Sequence, residues 1–194
     1  RVDPTAEVRG FLPGSLPDSV EAWFRRHGPR AHAEPTRRDW YLRPAGDGGL
    51  NVKLREGRLE VKRRSAVEGE RHFGNQVTGL VERWRKWSFS IRGSTALDVG
   101  GLAGSTDWVA VRKARLLKTY RRQSGATVGT QPAADGCEVE LTRVQALGQV
   151  WWTLAFEAFG EEPALLENLM TVADELLAPG CPVPLPLGDS RGYA

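Results

Sequence analysis

Charged side chains recur in this sequence at a spacing of two. Lys53 and Arg55, Glu60 and Lys62, and Lys113 and Arg115 each sit two residues apart, and Arg121 shares the parity of the last pair. On a β-strand, residues two apart lie on one face. Such faces would gather cations, and clustered Lys and Arg are the side chains that hold phosphate and other oxyanions by charge-assisted hydrogen bonds. Carboxylates sit in comparable places, at Glu7, Glu60, Glu138, Glu140 and Glu157. Oxygen donors of that kind suit Mg²⁺ or Mn²⁺, or they neutralise the bases.

The elements that would position these groups are mostly strands. Residues 50–65 read as a hairpin turning at Glu56-Gly57, with Val52, Leu54, Leu59 and Val61 on one face and the charges on the other. Taken alone, that pattern is an ordinary half-buried hairpin with its charged face in water. The same alternation returns at 107–123. There Trp108, Val109 and Val111 favour a strand over the basic amphipathic helix that the Ala, Leu, Lys and Arg content would also allow. Residues 137–160 form a second hairpin near Leu147-Gly148, and its polar faces are acidic: Glu138 and Glu140, then Glu157.

The rest of the chain supplies cover and connections. Residues 5–12 read as a strand with Glu7, Arg9 and Phe11 on one face and Ala6 and Val8 on the other. Residues 16–27 read as a helix, with Ser15 as cap, Pro17 in the first turn, Gly28 as stop and an apolar stripe of Val20, Trp23 and Phe24. Residues 28–38 read as a loop, 39–44 as a strand and 45–49 as a turn. A loop is expected over 65–75. A helix is expected over 76–87, from Val77, Leu80, Val81, Trp84 and Trp87 at helical spacing. Residues 89–92 would begin a strand, and 93–106 and 124–136 read as loops. The clearest helix is 163–177, with Pro163 in its first turn and Leu165, Leu166, Leu169, Val172, Ala173, Leu176 and Leu177 on a wide apolar face. We expect one domain over residues 1–178 and an irregular Pro-rich tail over 179–194.

Composition narrows the function classes. The 194 residues carry a net charge of +3 with a pI of about 9.1. That is too mild for a nucleic-acid-coating protein and gives no specific nucleic-acid signal. No apolar run approaches the roughly 20 residues of a membrane span, and no signal peptide is visible. Cys137 and Cys181 lack metal spacing; a disulfide between them is conceivable, but two thiols in a reducing cytoplasm is the simpler reading. His27, His32 and His72 have no catalytic neighbours in sequence, and no Ser or Cys sits in a nucleophile motif. The glycine-rich stretch 93–104 lacks the Lys-Ser/Thr ending of a phosphate-binding loop.

The element order implies an α+β fold: an antiparallel β-barrel, or a strongly curved sheet, with helices packed outside and the charged face within. In this order and alternation the chain resembles the CYTH-like domain of the triphosphate tunnel metalloenzymes, a family that includes thiamine triphosphatases, inorganic triphosphatases and one class of adenylate cyclases. The resemblance runs from Thr5 to about Leu177. VKLR at 52–55 resembles the family's paired-base strand, LEVK at 59–62 the strand ending in a tunnel lysine, and VRKAR at 111–115 its Lys-x-Arg strand. ELTRV at 140–144 and LAFEAFG at 154–160 sit where the family has acidic strands. It implies that Lys53, Arg55, Lys62, Lys113 and Arg115, with Arg121 at the same parity, hold a triphosphate. It also implies that carboxylates drawn from Glu7, Glu60, Glu138, Glu140 and Glu157 hold Mg²⁺ or Mn²⁺.

The chain departs from the family on the acidic side. The family's Glu-x-Glu-x-Lys falls on Glu7, Arg9 and Phe11, its aspartate position on Thr142, and its later Glu-x-Glu on Ala155 and Glu157. An arginine beside a metal site repels the cation. The expectation is therefore a protein that binds an anionic small molecule, such as triphosphate, polyphosphate or a nucleotide, with weak metal affinity and weak or no catalysis. The alternatives are a metal-dependent triphosphate or polyphosphate hydrolase, an ordinary sheet with solvated charges, and a lipocalin-like barrel for an apolar ligand. The repeated basic faces argue against the last.

Overall fold

In the computed structural model, residues 2–43, 48–74, 77–91, 105–128 and 131–185 are described, with the backbone alone at 2, 122–128 and 131–134. The strands in chain order are β1 (Val2–Pro13), β2 (His32–Ala33), β3 (Arg37–Leu42), β4 (Leu50–Arg55), β5 (Arg58–Phe73), β6 (Val77–Ser90), β7 (Trp108–Val128), β8 (Gln131–Ala146) and β9 (Gln149–Phe159). Helix α1 (Asp18–Arg26) follows β1, and α2 (Leu165–Leu177) follows β9 after a short 3₁₀ turn.

The strand order is β7-β3-β4-β5-β6-β1-β9-β8, and β8 pairs back with β7. All these pairings are antiparallel. The result is a closed barrel of eight strands, with β2 as one extra strand on β7 and two helices packed outside. The expected α+β barrel is the fold. The two tight hairpins are set by local chemistry. Glu56 and Gly57 have φ of 49° and 73°, and Leu147 and Gly148 have 51° and 74°. Paired positive φ values make the two-residue turn whose twist matches that of the strands, and glycine adopts it without strain.

The main core lies outside the barrel, between the sheet and the helices. Ala6 and Val8 of β1, Val81 of β6, Leu116 of β7, Val139 and Leu141 of β8 and Leu154 and Phe156 of β9 meet Val20, Trp23 and Phe24 of α1 and Leu165, Leu169, Val172 and Leu176 of α2. Both helices thus bury the apolar stripes read from sequence. Among the described residues, no helix is long and apolar enough to cross a membrane.

Three expectations are corrected. Residues 65–75 are not a loop: β5 runs unbroken to Phe73, with irregularities of register between Arg64 and Ala66 and between Val67 and Gly69. Residues 76–87 are not a helix but most of β6. This strand has neighbours on both edges and carries apolar residues on both faces, Val77, Val81 and Trp87 at one parity and Leu80 and Trp84 at the other, so they do not alternate cleanly and mimic a helical period. Its Val, Thr, Trp and Phe content is the strand signal that this spacing obscured. Residues 124–128 and 131–136 are not loop either, because β7 extends to Val128 and β8 begins at Gln131. The expected turn at 45–47, the loop at 93–104 and the tail beyond 185 lie outside the described residues.

Candidate functional site

The charged faces of the strands line the inside of the barrel. The proof is in contacts that skip strands. Lys62 on β5 reaches Glu7 on β1 at 2.9 Å and Glu157 on β9 at 3.1 Å, past the intervening β6. Arg9 on β1 reaches Glu140 on β8 at 2.9 Å, past β9. Such contacts pass only through the interior.

The interior charges fall into four groups. Glu60 is bound by Lys53 at 2.9 Å and Arg55 at 2.7 Å, with Lys86 at 4.0 Å. Burial pushes the Glu60 carboxyl up, but the surrounding bases win and hold it down at about 2. In the second group Lys62 bridges Glu7 and Glu157, while Arg64 donates to Glu82 at 2.7 Å. Burial works against the Lys62 ammonium, yet the two carboxylates outweigh it and raise its pKa. In the third, Glu140 accepts from Arg9 at 2.9 Å, from Arg115 at 2.7 Å and from the Thr142 hydroxyl at 2.8 Å. Its carboxyl is held well below the ordinary range: burial opposes this, and Arg9, Arg115 and Lys113 overcome it. Arg115 also binds Glu34. In the fourth, Lys113 donates to the Tyr41 hydroxyl at 2.6 Å and lies 3.7 Å from Asp39, which Arg37 approaches at 3.3 Å. Burial is the main force lowering the Lys113 pKa.

One band is acidic. Glu82, Glu7, Glu157 and Glu138 are cross-strand neighbours on β6, β1, β9 and β8. Facing cross-strand carboxylates repel. The Glu7 carboxyl is raised, by burial first and by Glu157 as well. The Glu138 carboxyl is raised by burial and by the same neighbour.

Solvent reaches this interior. Glu157 keeps 32% of its side chain exposed, Arg55 23% and Lys62 20%. One stretch of the interior is apolar instead. Tyr41, Val111 and Val144 are packed with Phe11 and Trp151, whose rings lie 5.5 Å apart.

Of the residues singled out from sequence, Lys53, Arg55, Lys62, Lys113 and Arg115 are together in the barrel. Glu7, Glu138 and Glu157 share the acidic band. Glu60 and Glu140 lie apart from that band, each closed on its own bases. Arg121 is exposed, beyond the interior groups on the same strand. Sequence reading missed Glu34, Asp39, Tyr41, Arg64, Glu82 and Lys86 as interior groups. The alternation of Arg37, Asp39 and Tyr41 could have found the β3 members. Glu82 and Lys86 were hidden by the helical reading of β6.

The fold and site define a class: a closed antiparallel barrel whose interior is an ionic network open to water. No family model matches this chain, and no curated protein matches it. Among solved structures it is similar to a conserved hypothetical protein, Pfu-838710-001 from Pyrococcus furiosus. Identity is 16%, covering 96% of this chain and 97% of that one, with a TM-score of 0.45.

Proposed function

We propose that the barrel interior is a receptor for a small polyanion carrying phosphate or similar oxyanions, with weak or no catalysis. One observation carries this reading: bases from β1, β4, β5 and β7 point into one water-reached interior and are held there by glutamates. A phosphate-rich ligand offers the same bases stronger, bidentate acceptors in place of those glutamates. The displaced carboxylates turn toward solvent. The resemblance to the triphosphate tunnel enzymes supports the same ligand class.

The second reading is a metal-dependent triphosphate or polyphosphate hydrolase, favoured by the register of Glu82, Glu7, Glu157 and Glu138. The residues as arranged fit a divalent cation poorly. Lys62 stands within 3.1 Å of both Glu7 and Glu157, and Arg64 occupies Glu82. An ammonium in that position repels a second cation. Among the described residues, no three His, Cys, Asp or Glu side chains are gathered as a metal site. We therefore prefer the binding reading over hydrolysis through Mg²⁺ or Mn²⁺.

Calorimetry with tripolyphosphate at low salt tests the proposal. Binding should weaken as salt rises. Arg55→Ala combined with Arg115→Ala should lower affinity by about tenfold or more, the equivalent of ~1.4 kcal/mol. Binding that ignores both substitutions would place the anion elsewhere. Phosphate release from inorganic triphosphate, thiamine triphosphate and ATP, with each metal, separates the two readings. Robust turnover lost in Glu157→Gln would establish the hydrolase.

A further inference from the structure

The outer face of the barrel carries a second, independent cationic feature. Arg38 on β3 is the cross-strand neighbour of Arg112 on β7, Arg112 of Gln145 on β8, and Gln145 of Val150 on β9. These side chains point away from the interior, at the parity opposite to Lys113 and Arg115. Two adjoining hollows, of about 580 Å³ and about 380 Å³, share Arg112, Gln145 and Val150 in their walls. Among the described residues, no carboxylate lines either hollow. Arg143 lines the second, and its guanidinium is engaged by Glu21 of α1. Arg38 and Arg112 are exposed, and among the described residues neither has a carboxylate partner.

We propose that this groove docks an acidic, extended peptide segment of a partner protein. The chemistry favours that occupant. Arginine presents a planar fork that matches a carboxylate in two hydrogen bonds. Neighbouring strands stand about 4.8 Å apart, and alternate residues of an extended chain about 6.6 Å apart. The two spacings differ by about 2 Å, which the long, flexible arginine stems can span, so carboxylates on alternate residues of the segment can meet Arg38 and Arg112 in succession. The residues between them find aliphatic surface: Leu147 is 69% exposed and Val150 42% exposed at the rim, and Ala110 and Ala114 lie along the floor. Among the described residues no aromatic side chain lines either hollow, so a single-stranded nucleic acid would find no stacking platform in these walls.

The test uses a fluorescein-labelled peptide of alternating glutamate and leucine, followed by anisotropy at low salt on the full chain. Binding should fall at least about tenfold in Arg38→Glu with Arg112→Glu. The milder pair Arg38→Gln with Arg112→Gln should give an intermediate loss, and far-ultraviolet circular dichroism should match the parent for both. Affinity should be unchanged in Arg55→Ala with Arg115→Ala, which alters only the interior. Three outcomes overturn the proposal: affinity that survives both outer-face pairs, affinity lost in the interior pair, or labelled oligouridylate binding more tightly than the peptide. A negative tripolyphosphate result would bear on the interior alone and leave the groove untouched.

Discussion

The two faces of the same strands hold the barrel together by different physics. On β1, Ala6 and Val8 are 0% and 6% exposed in the outer apolar core, while Glu7 and Arg9 between and beyond them are ion-paired within. On β7, Lys113 and Arg115 face the ionic network while Leu116 faces the helices. The outer core is stabilised by removing apolar surface from water, which needs no charged partner. The inner network is stabilised by mutual neutralisation of its charges, and the proposed anion would act by exchanging those partners. Only the inner face is a candidate receptor for a small polyanion, although both are built from one alternating pattern.

The largest expected effect comes from breaking the inner network. Glu60→Gln leaves Lys53 and Arg55 facing each other with no charged partner at a site where the glutamate side chain is only 4% exposed. Loss of a buried partner typically costs about 3–5 kcal/mol. Urea unfolding should show that loss, and saturating tripolyphosphate should recover part of it. If the anion does not, the inner face is a structural core like the outer one.

Leu169→Ala is the matching change outside. Leu169 of α2 is fully buried against the sheet, and such truncations cost about 2–5 kcal/mol. Tripolyphosphate should leave this loss untouched. A recovery equal to that of Glu60→Gln would erase the distinction between the faces.

Acid sharpens the comparison. The Glu60 carboxyl titrates at about 2 in the folded protein, below its ordinary value of 4.5. A depressed carboxyl adds stability that is complete above its unfolded value and is lost as pH falls through the folded one. The thermal midpoint should therefore drop from about pH 4.5 toward about 2 more steeply in the parent than in Glu60→Gln. Parallel curves would mean that the network around Glu60 adds nothing.

The smallest effect concerns a charge on the wrong side. Lys118 is fully buried in the outer face, where its amine donates to the Pro29 carbonyl and sits 5.1 Å from the Phe24 ring. Burial is the main force lowering its pKa, with Arg25 adding to it. Below the ordinary lysine value, the unfolded chain takes up this proton more readily, so stability falls as pH falls. Lys118→Met should raise stability by on the order of 1 kcal/mol. The gain should grow from pH 10 toward neutrality; a gain that shrinks would show the ammonium to be well served there.

Much of the site was legible because alternation is a local property. Lys53 with Arg55, Lys62, and Lys113 with Arg115 stood out as bases against aliphatics, and the Glu56-Gly57 turn fixed the hairpin that carries the first three. The extension of β7 to Val128 and the start of β8 at Gln131 were not legible, since this stretch is rich in Gly, Ala and Thr and lacks a strand signal. Nor was β6, where apolar residues at both parities imitate a helical spacing.

By itself the sequence determined which side chains share a face, because the period of a strand is two whatever surrounds it. It also determined both helices, through stripes wide enough to demand cover. Only the tertiary structure decided which face is the inside, since alternation has no sign until the sheet closes. Closure also chose the partners. It set Lys62 against Glu157 across two intervening strands and put Arg9, which looked like a lost metal ligand, to work as a base on Glu140. Those pairings join residues 95 and 131 positions apart, and no local pattern encodes contacts at that range.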